Sequence, residues 1–216
     1  LTSRTTRSRD RACQDLVAMT HSKPAVVELL TRHGLTPSRA LGQNFVVDPN
    51  TVRRIARLAD VGAGDHVVEI GPGLGSLTLA LVETGARLDV VEIDRHLLAP
   101  LREVVEPHGV KVHHGDALTF DFASILGGEP ATVVANLPYN VATPLVVHLL
   151  ETQPLLTRML VMVQREVGER FAAKPSDEAF GAVSLRIAYF AEAQVVGTVP
   201  PTVFTPKPKV DSALVS

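Results

Sequence analysis

The chain has 216 residues, 45% of them hydrophobic, with a mean hydropathy of +0.18, which is enough apolar material for one substantial packed domain. No apolar run reaches the ~18 residues a membrane-spanning helix needs, and the single cysteine, Cys13, excludes an internal disulfide framework and a paired-cysteine metal site and fits a reducing, cytoplasmic compartment. The net charge of −2 excludes a uniformly basic polyanion binder, yet residues 1–57 carry ten Lys/Arg against four Asp/Glu and the remainder eleven against nineteen, so a basic arm that can steer a polyanion precedes an acidic body.

Residues 1–24 read as a flexible basic tail, rich in Arg, Ser and Thr and lacking the apolar segment of a secretory signal. Residues 25–216 read as one folded domain. A helix is predicted over 24–32, stopped by Gly34, and a second over 49–58, where Asp48 suits the N-cap and Pro49 the first helical position. From there short apolar strands at 66–70 (HVVEI), 88–92 (LDVVE), 110–114 (VKVHH), 132–136 (TVVAN) and 159–164 (MLVMVQ) alternate with helical stretches at 76–84, 95–105 and 143–150. Continuously apolar strands separated by helices indicate a parallel sheet covered on both faces. Two later pieces, 194–199 and 210–215, read as strands with no helix between them and are expected at an antiparallel edge. The expected class is α/β and Rossmann-like, with a mostly parallel seven-stranded sheet and helices on both faces.

Three strand ends carry candidate chemistry. The loop EIGPGLG, Glu69 to Gly75, follows the first strand and opens a helix, where glycines let backbone approach a ligand and free N–H groups await it. Its spacing is G-x-G-x-G, with Ser76 where a dinucleotide fingerprint carries a third Gly or Ala, and no Lys follows as a phosphate-binding P-loop requires. A plain strand-to-helix turn is the alternative. Glu92 closes the second strand, where a carboxylate can accept from both ribose hydroxyls of NAD or of an adenosyl sulfonium. Asp116 follows the third strand and can accept from an adenine amine, or simply cap a turn with Gly115. The fourth ends in ANLPYN: an amide, a kink and an aromatic. The eight histidines have no metal spacing, no metal is expected, and His113 and His114 read as structural.

Taken together, LGQNFVVD (41–48), VVEIGPGLGSLT (67–78), VVEID (90–94), GDAL (115–118), VANLPYNVATPL (134–145), MVQREVGER (162–170) and PTVFTPKPKVDS (201–212) resemble the S-adenosylmethionine-dependent rRNA adenine N6,N6-dimethyltransferases, and among them the KsgA-type enzymes of small-subunit rRNA. The resemblance implies a Rossmann-like methyltransferase fold followed by a small helical C-terminal domain that is largely absent from this chain. It implies S-adenosylmethionine as cofactor and S-adenosylhomocysteine as product. It implies 16S rRNA near its 3′ end, in the immature 30S subunit, as partner, with two adjacent adenosines dimethylated, and monomer is the default state. Asn44 and Val46 would contact the cofactor, Gly71 and Gly73 would lie against its methionine part, Glu92 with Ile93 would hold the ribose, Asp116 with Ala117 the adenine, and Asn136 would sit near the sulfonium. Val46 departs from the Leu common in the family, a change that keeps a backbone contact. The alternatives are a resistance-type dimethyltransferase of 23S rRNA and a non-catalytic ribosome-assembly factor on the same fold.

The adenine N6 lone pair is conjugated into its ring and attacks poorly. The Asn136 Oδ1 and the Leu137 carbonyl, aimed by the Pro138 kink, are expected to accept from the two N–H bonds and draw the nitrogen toward tetrahedral geometry. A neutral amide does so without burying an unpaired charge. Tyr139 offers a face for an extruded base, a contact worth ~1–3 kcal/mol. Phe204 is expected to close the other side of that sandwich, with a core Phe as its alternative. Lys207, Lys209, Arg165, Arg170 and Lys174 are candidate phosphate contacts.

Overall fold

A computed structural model describes residues 21–38 and 42–216. The expected tail therefore lies outside the described residues up to position 20, as does Cys13, and Lys23 and Pro24, counted in the tail above, already belong to the first helix.

Helix α1 (Lys23–Arg32) leads through an irregular segment to the two-residue strand β1 (Phe45–Val46) and helix α2 (Pro49–Ala59). The Asp48 side chain accepts the Thr51 N–H at 2.8 Å, the cap the sequence announces. Helix α2 buries Val52, Ile55, Ala56 and Ala59, one stripe at helical spacing. Then follow β2 (His66–Ile70), α3 (Ser76–Val82), β3 (Arg87–Glu92), α4 (Leu98–Val105), β4 (Lys111–His114), α5 (Ala123–Leu126), β5 (Ala131–Asn136), α6 (Ala142–Thr152) and β6 (Leu156–Gln164). Helices α7 (Arg165–Ala172) and α8 (Ala182–Phe190) precede β7 (Val195–Val199), β8 (Phe204–Thr205) and β9 (Ser212–Val215).

Seven strands form one sheet in the order β4-β3-β2-β5-β6-β9-β7. The late pair forms the antiparallel margin, with a refinement: β9 inserts between β6 and β7, antiparallel to both, so β7 is the edge and runs with the parallel strands. Strands β1 and β8 pair separately. Apolar layers cover both faces. On one, Val67, Val90, Val134 and Met162 pack under α2, α3 and α4; on the other, Val68, Val91, Val133 and Val161 pack under α5, α6, α7 and α8. Each fully buried aliphatic side chain contributes roughly 1.5–3 kcal/mol.

The strand order reverses at β2. The chain passes from β2 to β3 and β4 on one side, then returns to lay β5 on the other. Open α/β sheets leave a crevice at the carboxyl ends of strands at such a switch point. Here Ile70 is paired with Ala135, so the crevice opens between Gly71 and Asn136.

Candidate active site

The crevice at the switch point is a cavity of about 200 Å³, walled by the ends of β2, β3 and β5, the turn after β4, and residues 42–46. All the residues expected to hold a cofactor line it: Asn44, Val46, Gly71, Gly73, Glu92, Ile93, Asp116, Ala117 and Asn136.

The glycine loop is shaped by packing as well as by turn geometry. Gly73 has φ of 60°, and a Cβ on it would stand 3.0 Å from the Phe45 ring. Phe45 belongs to a small cluster with Val26 and Leu29 of α1, so that helix roofs the loop. The freed Gly73 N–H donates to Glu92 Oε2 at 3.0 Å, and the Asp94 N–H donates to Glu92 Oε1 at 2.8 Å. Glu92 is thus held by two backbone donors while 4% exposed. Burial pushes its carboxyl above the usual range, against the pull of those donors.

Beyond Glu92, the exposed Ile93 and the buried Ala117 supply apolar walls. Asp116 closes the turn, the second of its two readings. Its Oδ1 accepts the Leu118 N–H at 3.0 Å, closing the turn after β4, and it also faces the cavity.

At the opposite end lies the ANLPYN turn. The Asn136 Nδ2 donates to the Asn44 carbonyl at 3.2 Å. That commits the amide's donor side and leaves Oδ1 without a partner among the described residues. The Leu137 N–H is tied to the Met162 carbonyl at 3.0 Å, the Pro138 carbonyl accepts from Val141 and Ala142, and the Leu137 carbonyl has no partner among the described residues. Two acceptor oxygens are therefore uncommitted on adjacent residues. Tyr139 is half-buried on the wall, its hydroxyl 3.0 Å from Ser212 Oγ. Gln43 ties residues 42–46 to the end of β3, donating from Nε2 to Asp94 Oδ2 at 2.7 Å.

Phe204 is a correction. Pairing of β8 with β1 sets it opposite Val46 and turns its ring into the apolar layer, 4% exposed and off the cavity wall. It backs the wall that Val46 forms. The cations proposed for phosphate also lie off the cavity; Arg165 pairs with Glu169 and Arg170 with Glu166, each at 2.8 Å one helical turn apart, while Lys174, Lys207 and Lys209 are exposed. His113 is structural as expected, its Nε2 bonded to Asp89 Oδ1 at 2.6 Å.

Sequence reasoning passed over Glu69. It lines the cavity at 1% exposure, and its Oε2 has no partner. Burial pushes its carboxyl up to about 8; the neighbouring Glu92 charge adds to the rise and Thr78 opposes it. The available signal was its place two residues before Gly71.

A family model described as ribosomal RNA adenine dimethylase matches residues 35–216. Among curated relatives, ribosomal RNA small subunit methyltransferase A of Cutibacterium acnes is 50% identical over 188 residues, covering 84% of this chain and 62% of that protein. Its namesake in Thermobifida fusca is 47% identical over 213 residues, covering 92% and 74%. The chain thus spans only about three-fifths of the length of the first of these relatives. Of solved structures, a dimethyladenosine transferase from Plasmodium falciparum superposes with a TM-score of 0.68 at 28% identity, over 78% of this chain and 60% of that one. The 23S rRNA methyltransferase ErmE gives 0.69 at 29%, over 80% and 68%.

Proposed function

The chain belongs to the ribosomal RNA adenine dimethylase family, and we infer that its protein transfers methyl groups from S-adenosylmethionine to N6 of adenosines in small-subunit (16S) rRNA, in the immature 30S subunit. The observation that carries this reading is the pair of uncommitted oxygens, Asn136 Oδ1 and the Leu137 carbonyl, beside the Tyr139 ring.

The residues present fit the cofactor. The Gly73 cradle has no room for a side chain, and Glu92 retains acceptor capacity for ribose hydroxyls beyond its two backbone donors. Asp116 with Ile93 and Ala117 suits an adenine ring, polar at one edge and apolar at its faces. S-adenosylmethionine supplies a methyl group already activated on a sulfonium; the protein contributes binding, alignment and electrostatics.

At the acceptor end, Tyr139 takes the extruded base on its face. Asn136 Oδ1 and the Leu137 carbonyl accept from the amine, reorient its lone pair and hold it in line. Near-attack alignment of this kind is worth several kcal/mol, up to roughly 7–11 kcal/mol in the best-oriented systems. The committed Nδ2 keeps the amide from flipping, so the acceptor rather than the donor faces the amine. A monomethylated amine still offers one N–H, so a second transfer can follow.

The test is nucleoside mass spectrometry after incubating the full-length protein with immature small subunits and S-adenosylmethionine. N6,N6-dimethyladenosine is expected, and Asn136→Ala is expected to lower turnover by about 100-fold, the scale of losing one preorganised polar contact. Modification of large-subunit RNA alone would give the assignment to the 23S class. Binding of subunits with no modification of either would leave an assembly factor.

A further inference from the structure

Ser212 is the first residue of β9, and its backbone pairs with Gln164 of β6 and Val199 of β7. The rest of that strand, Ala213 to Val215, is apolar and buried. Ser212 is 0% exposed, so its hydroxyl needs a partner inside the protein. Among the described residues the only side-chain partner it has is the Tyr139 hydroxyl, 3.0 Å away. The two residues are 73 positions apart in sequence, and this bond joins the antiparallel insertion of the sheet to the turn after β5. Ser212 does not line the cavity; Tyr139 does.

We propose that Ser212 is a positioning residue of the methyl-acceptor site, fixing the edge of the Tyr139 ring so that its face is presented to the incoming base. The proposal rests on the reading above that Tyr139 receives the target adenine. A tyrosine on a turn can swing about its first side-chain torsion. A hydrogen bond at the far tip of the ring stops that swing with the greatest leverage and leaves the π-face unobstructed. Burial raises the Tyr139 phenol while the Ser212 bond pulls the other way, so the phenol stays neutral and able to donate or accept. The arrangement also gives the FTPKPKVDS segment a function at the site that does not require Phe204 to reach the base. That segment delivers Ser212 from behind.

The experiment is a double-mutant cycle on the full-length protein with Ser212→Ala and Tyr139→Phe. Each alone is expected to lower kcat/KM for small-subunit RNA by about fivefold, the equivalent of one neutral hydrogen bond, and the double variant to be no worse than Tyr139→Phe. The dissociation constant for S-adenosylmethionine should be unchanged throughout. A second readout is independent of methyl transfer. The difference between the unmutated protein and Tyr139→Phe defines the part of the near-ultraviolet signal that Tyr139 contributes. Ser212→Ala should then weaken its near-ultraviolet circular dichroism band. An unchanged band, or a Ser212→Ala loss that persists undiminished in Tyr139→Phe, overturns the proposal. If the unmutated protein methylates no RNA, the functional reading fails, and the dichroism still decides whether Ser212 holds the ring.

Discussion

Two acids on adjacent strands, Glu69 of β2 and Asp89 of β3, are equally hidden, 1% and 2% exposed, and are treated in opposite ways. Asp89 faces the α5–α8 side of the sheet. There it accepts from His66 at 2.8 Å through one oxygen and from His113 at 2.6 Å through the other. Glu69 faces the other side, at the cavity, and one of its oxygens has no partner. A carboxylate buried for structure is satisfied inside the protein. One left unsatisfied at a cavity wall bears the cost of burial, which pushes it toward its neutral form.

The contrast can be broken most violently at Asp89. Asp89→Ala removes the shared acceptor of two imidazoles, one of them on a side chain only 3% exposed. Breaking a buried pair by deleting one partner costs about 3–5 kcal/mol, and at this chain length each kcal/mol moves the midpoint by roughly 2–4 °C. A Tm drop of about 10 °C by calorimetry is expected on that scale. A drop within 2 °C would mean that the network is ornamental, which would remove the contrast with Glu69.

Glu69→Gln probes the other side, through pH. In the unfolded chain Glu69 has an ordinary carboxyl; in the folded chain burial carries it up to about 8. Between the ordinary carboxylate range and about 8 the folded state therefore binds more protons than the unfolded state, and stability falls as pH rises through that window. Below the window both states are protonated; above it both are ionised and the dependence flattens. Glu92 is shifted in the same direction and contributes the same sign. The difference between wild type and Glu69→Gln isolates Glu69. The variant should be the more stable at pH 8 by denaturant unfolding, with a pH slope shallower by up to ~1.4 kcal/mol per unit, the limit for one proton. Parallel slopes would show that Glu69 ionises as freely folded as unfolded.

How far the sequence revealed all this follows the same divide between repeated and singular interactions. The central strands were readable because both their faces are buried, which writes a short run with adjacent valines at its centre, as in HVVEI or TVVAN, where a half-exposed strand would alternate. Helices α7 and α8 were not, because α7 buries only Gly168 and Phe171 and α8 only Ser184 and Ile187, too few to mark a helical period. At the site, residues fixed by local backbone chemistry were legible: the glycine loop, Glu92 at a strand end, and Asn136 before the Pro138 kink. What depends on register between distant segments was not. Phe204 turned inward because β8 pairs with β1, and Ser212 met Tyr139 because β9 inserts between β6 and β7. Glu69 was hidden in plain view, since a strand residue can face either side of a sheet and only the fold says which.

The mildest test stays on β3 and asks whether burial, rather than charge pairing as such, sets these magnitudes. Arg87 lies two residues before Asp89, on the same face of the strand, and pairs with Glu129 at 3.0 Å. The geometry resembles that around Asp89, but the side chains are 51% and 67% exposed. Water already solvates both charges there and salt screens them, so the pair gains little that the unfolded chain lacks. Glu129→Gln is expected to change stability by less than ~0.5 kcal/mol, and by less still at high ionic strength, in the denaturant experiment used for Glu69. A loss approaching that of Asp89→Ala would show that pairing alone carries the energy, and the distinction between the satisfied acid and the unsatisfied one would need another cause.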